Sequence, residues 1–132
     1  MLTITDNYFR KTWIYPTNTR SDASSIFHDW QLHVEAGSNE KVMAIRCNNV
    51  PELKKLYGHI KGYSGSMELT VPYTPEQNGI AECINRTIIE KAKAMLIDVN
   101  LPHDLWPEVV QTVAYLHNQV PTRGSSKTPN KR

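Results

Sequence analysis

The sequence predicts an α/β fold, and three observations carry that reading. Two short alternating segments open the chain as a hairpin. A continuous apolar run at 42–45 follows an amphipathic stretch. Strand and helix patterns then alternate in the order β-β-α-β-α-β-α-α. Such an order places helices on the faces of a mixed sheet, with functional groups gathered at the carboxyl ends of its strands.

The elements follow in order. Leu2 and Ile4 alternate with Thr3 and Thr5, the mark of a half-buried strand. Asp6-Asn7 is a turn signal, and Lys11–Tyr15 is β-branched and aromatic, so it forms the other arm, ended by Pro16. Ser21 is a candidate helix cap. Ile26, Phe27, Trp30 and Val34 trace an apolar stripe, and Gly37 is the expected stop. The run 42–45 suits a strand buried on both faces and ends at Arg46-Cys47-Asn48-Asn49. Pro51 suits a helix start, with Leu53, Leu56, Tyr57 and Ile60 on one face. Met67, Leu69 and Val71 alternate as a further strand. Ile80, Ala81, Ile84, Ile88, Ala92, Met95 and Leu96 mark the strongest helix, to about residue 97. Leu101-Pro102 opens a last helix with core face Leu105, Trp106, Val109, Val110, Val113, Ala114 and His117.

The chain has 132 residues, 39% of them hydrophobic and 21% charged, which fits one globular domain and excludes a disordered chain. No apolar run nears the ~20 residues of a membrane span, and the N-terminus does not read as a signal peptide, so no membrane partner is expected. Cys47 and Cys83 make neither a disulfide framework nor a zinc pair, which suits a reducing intracellular setting. Net charge is +2, but the end segment 121–132 holds four basic residues and no acid. Residues 1–120 therefore carry 11 basic against 13 acidic groups, so bulk charge does not argue for nucleic acid. The expected organisation is a domain at 1–120 and a basic, mobile tail at 121–132.

One stretch is far more specific than any of these patterns. Residues 70–96, TVPYTPEQNGIAECINRTIIEKAKAML, carry a dense PYTPxQNGxAExxNRT motif. ITDNYFRKTWIYPT, AIRCNN, LPHDLWPEVVQTVAYLHNQVPT and KTP extend the match outward. Together these segments resemble the integrase catalytic core of copia-type retrotransposons. The resemblance implies a retroviral-integrase-like, RNase H-like fold and a role in DNA integration by 3′-end processing and strand transfer. It also implies three carboxylates holding two magnesium or manganese ions, one activating the attacking oxygen and the other stabilising the leaving oxygen. Implied partners are DNA, with RNA, a second copy or an intact integrase as alternatives, and the implied workplace is the nucleus.

Carried over residue by residue, the family glutamate falls on Glu82, the candidate catalytic and metal-holding group. Tyr73 and Gln77 in the preceding loop, and Asn85 and Arg86 on the same helix, fall on positions that border nucleic acid in the family. The second family carboxylate falls on Asn48, which offers a neutral carbonyl oxygen and one charge fewer. The first family carboxylate belongs to a strand before Met1, and Asp6 matches the hairpin turn instead. Asn7, Phe9 and Cys83 also depart from the family pattern. The resemblance therefore implies a truncated, degenerate copy: an RNase H-like mixed sheet flanked by helices, lacking its N-terminal central strand. Two expectations follow. The site is vacant or holds metal only weakly, and the chain is catalytically inactive, a pseudoenzyme or a non-enzymatic binding remnant. The strands at 2–5 and 42–47 are expected to pair with each other directly or to leave the domain loose. On the other side stand ordinary roles: an ion pair of Arg86 with Glu90, and core packing for Trp30, Trp106 and His117.

Overall fold

A computed structural model describes residues 1–48, 55, 66–70 and 79–131. The chain divides into two compact units, one of residues 1–16 and 80–132, the other of residues 17–79.

In the first unit, β1 (Leu2–Thr5) and β2 (Thr12–Tyr15) pair antiparallel, with Leu2 opposite Tyr15 and Thr5 opposite Thr12. The Asp6 carboxylate accepts the Tyr8 and Phe9 amides (2.9 and 2.5 Å), and Arg10 takes the left-handed conformation (φ 62°) that closes the turn. Two helices follow in this unit, α2 (Gly79–Asp98) and α3 (Trp106–Gln119). Ile84, Ile88, Ala92 and Leu96 of α2 and Val109, Val110, Val113 and Ala114 of α3 form one core with Ile14 of β2. Both helices thus meet through the i, i+4 stripes that the sequence announces.

The ends of these helices are set by particular residues. Asn100 (φ 49°) reverses the chain after α2, and the Leu101 amide returns to the Leu96 carbonyl (3.0 Å). α3 does not start at Leu101-Pro102 as expected. A 3-10 turn, His103–Leu105, intervenes, and Pro107 opens the helix. Leu105 is therefore partly exposed, while Trp106 packs against the core. Beyond α3, a second 3-10 turn, Pro129–Lys131, packs on that helix with Pro129 fully buried. Composition marked this end as basic and mobile, and it gives no sign of that anchor.

The second unit contains α1 (Ala23–Ser38), β3 (Ala44–Asn48) and β4 (Ser66–Thr70). β3 and β4 pair parallel, with Asn48 opposite Thr70. Among the described residues, β1 and β3 each have a partner in a two-stranded sheet. The fold is mixed α/β, as expected, with one antiparallel and one parallel pair among the described residues. The helix expected from Pro51 lies outside the described residues, apart from Lys55, which is helical.

α1 corrects three expectations. Ser21 does not cap it; its hydroxyl meets that of Thr19 (2.9 Å). Gly37 does not stop it; the helix runs to Ser38 and ends on Asn39 in the left-handed region (φ 57°). Its buried face is Ala23, Phe27, Trp30, Gln31 and Glu35, so two polar residues lie where Val34 was expected. Gln31 donates to Glu35 (3.0 Å), the Val42 amide donates to the same carboxylate (2.9 Å), and Lys41 pairs with its other oxygen (3.1 Å). These donors, the Gln31 amide foremost, hold the Glu35 carboxyl down at about 2. The carboxylate ties the helix end to the approach of β3. Met43, just before β3, is 67% exposed, and Ala44 and Arg46 of the strand are exposed, so the strand is not buried on both faces.

Candidate functional site

α2 fixes the outward direction of the candidate residues by burying the opposite face. Ile84 and Ile88 point into the core, so Glu82 and Arg86, one helical turn apart, share the exposed side. Glu82 lies in the first turn, where a negative charge complements the helix dipole. Among the described residues neither Glu82 nor Arg86 has an ion-pair partner, and the pair of Arg86 with Glu90 is not formed. The Arg86 guanidinium therefore keeps its five donors for a ligand.

Asn85 is held from below. Thr3 of β1 donates its hydroxyl to the Asn85 carboxamide oxygen (2.6 Å). This links the start of α2 to the hairpin and leaves the Asn85 amide hydrogens as donors. Sequence reasoning missed Thr3, because nothing local ties together residues 82 positions apart. Cys83 is exposed beside Glu82, and its carbonyl accepts the Thr87 hydroxyl (2.9 Å).

Asn48 is the last residue of β3, at the carboxyl end of a parallel pair, the place where such sheets gather functional groups. It belongs to the 17–79 unit, whereas Glu82, Asn85 and Arg86 belong to the other. Tyr73 and Gln77 lie outside the described residues. Burial pushes the Cys47 thiol above its ordinary value, so it stays protonated near neutral pH. Asp6 is committed to its turn by two backbone amides.

Two hard dications need several charged oxygens. The candidate donor set has one carboxylate, Glu82, and a neutral amide at position 48.

The chain is 35% identical over 123 residues to the retrovirus-related Pol polyprotein from transposon TNT 1-94 of Nicotiana tabacum, a match covering 92% of the chain and 9% of that protein. It is 28% identical over 117 residues to the corresponding polyprotein from transposon RE2 of Arabidopsis thaliana, covering 89% of the chain and 8% of that protein. The chain thus spans about a tenth of the length of these relatives. No protein-family profile matches it. Among solved structures, the simian T-cell lymphotropic virus intasome in complex with PP2A regulatory subunit B56 gamma superposes with a TM-score of 0.72 at 19% identity, covering 96% of the chain and 45% of the matched one. The catalytic core domain of BIV integrase superposes with a TM-score of 0.59 at 14% identity, covering 90% and 73%. The chain is therefore a homologue, over nearly all its length, of one segment of the Pol polyproteins of copia-type transposons, and its fold is that of retroviral integrase catalytic cores.

Proposed function

We propose that this chain is an integrase-core segment that holds nucleic acid along the exposed side of α2 and does not carry out metal-dependent strand transfer. The observation that supports the binding half is Arg86, exposed and without an ion pair among the described residues, on a helix whose rotation is locked by Ile84 and Ile88 and whose start is tied to β1 through Asn85. A guanidinium that gives up no intramolecular ion pair meets a phosphate at little cost. The chemistry supporting the inactive half is the amide at position 48, which removes a negative charge from a site that must balance two dications.

Both halves are testable on the full chain. Binding to duplex DNA should weaken linearly on a log–log salt plot, and Arg86→Ala should lower the slope by about 0.9, the share of one neutralised phosphate. A chain with no measurable affinity at low salt, or a slope unmoved by Arg86→Ala, would refute the binding surface. Incubation with element-end duplex and magnesium or manganese should give no processed or joined strand. Product formation abolished by Glu82→Gln would overturn the inactive assignment.

A further inference from the structure

The outer edge of β2 is closed by a side chain. The bond from the Asp6 amide to the Lys11 carbonyl (2.8 Å), with the register of the hairpin, sets which backbone groups face β1. In an antiparallel pair these alternate, so Trp13 and Tyr15 bond toward β1, while Thr12 and Ile14 turn their N–H and C=O to the free edge. Thr12 finds its partners 106 positions away. Its amide donates to the Asn118 carboxamide oxygen (2.9 Å), and the Asn118 amide donates to the Thr12 carbonyl (2.7 Å). Both residues are buried, at 1% and 7% exposure. One primary amide thus makes the two bonds that a neighbouring strand would make. Ile14, the next outward position, has no backbone partner on that edge among the described residues. Beside it runs a shallow groove lined by Trp13, Tyr15, Gln111 and Tyr115. At the other end Pro16 has no N–H to offer.

From this we infer that Asn118 is a built-in plug that occupies the place of a further strand and keeps the β2 edge closed to strand addition. Exposed edges with unpaired backbone groups template pairing with other chains, and folded proteins blunt them in specific ways. Here the plug leaves a single outward residue, Ile14, too little for a ladder. Removing it leaves Thr12 and Ile14 as two consecutive outward positions with unpaired backbone groups beside that groove.

The test compares wild type with Asn118→Ala and Asn118→Asp as full chains. The probes are a synthetic peptide copying residues 10–16 and the chain itself. Asn118→Asp keeps the acceptor for the Thr12 amide but, when ionised, has no donor for the Thr12 carbonyl. Expected for Asn118→Ala are amide exchange at Thr12 at least tenfold faster in dilute solution, binding of the peptide, and a mass that rises with concentration. Asn118→Asp should lie between the two, and wild type should show none of these. Slower exchange at the Ile14 amide as the peptide binds would place the new strand on this edge. A folded Asn118→Ala that neither binds the peptide nor changes its mass behaviour overturns the inference. So does a variant that simply unfolds, since Asn118 would then serve stability alone.

Discussion

Ile80 and Ile88 stand two turns apart in the same apolar stripe of α2, and packing separates them sharply. Ile88 is 0% exposed within the cluster that holds Val110 and Val113, whereas Ile80 is 39% exposed. Ile88→Ala removes three carbons from a closed site. At about 0.8 kcal/mol for each buried methylene, the transfer loss is roughly 2.4 kcal/mol. The void left between close-packed helices adds to this and brings the expected cost to about 2–5 kcal/mol. Ile80→Ala loses only a partly buried side chain, and the better helix propensity of alanine offsets some of that loss. Its expected cost is about 1 kcal/mol or less. Denaturant titrations followed by far-UV circular dichroism measure both, with slopes compared so that a change in unfolded-state compactness is not read as stability. Equal costs for the two substitutions, or a larger one at Ile80, would refute the assignment of the core to Ile84, Ile88, Ala92 and Leu96.

The polar clamp of α1 predicts an acid transition. Glu35 has its carboxyl lowered to about 2 by the Gln31 amide first, then the Val42 amide and Lys41, so it favours the folded state above the ordinary carboxylate range. That contribution is complete above about pH 4.5 and is lost as pH falls toward 2. Glu35→Gln should remove this part of the pH dependence in unfolding titrations across that window. His117 acts at a higher pH, because burial and then the charge of Lys91 hold its imidazole below the usual 6.5. Its contribution is complete above pH 6.5 and falls as the pH drops toward the lowered value, a step that His117→Gln should abolish. Direct titration of the His117 ring by NMR checks the direction, and a ring protonating above 6.5 would contradict it. Gly37 lies inside α1 with open space around the position of a Cβ, so Gly37→Ala should stabilise the chain by about 0.5–1 kcal/mol in thermal unfolding.

Local patterns determined much of this protein. The alternation of 2–5 and 12–15 with an Asp-Asn turn between them is a hairpin by the period of a strand alone, and that is what forms. The long stripes of α2 and α3 named Ile84, Ile88, Val109, Val110, Val113 and Ala114, because a 3.6-residue period sets one face whatever the surroundings. The dense motif around Glu82 marks the kin of the chain, and position 48 carries a neutral amide where the resemblance implies a carboxylate.

Tertiary structure alone decided what the period leaves open. A stripe has a direction but no edge, so the exposure of Ile80 and the partial exposure of Leu105 depend on where the neighbouring elements end. α1 turned Glu35 inward because the Gln31 amide, Lys41 and the Val42 amide converge on its carboxylate, and a buried carboxylate is tolerated only when such donors surround it. The links from Thr3 to Asn85 and from Thr12 to Asn118 join residues 82 and 106 positions apart. Hydrophobic periodicity carries no record of them, because polar partners are chosen by proximity in space.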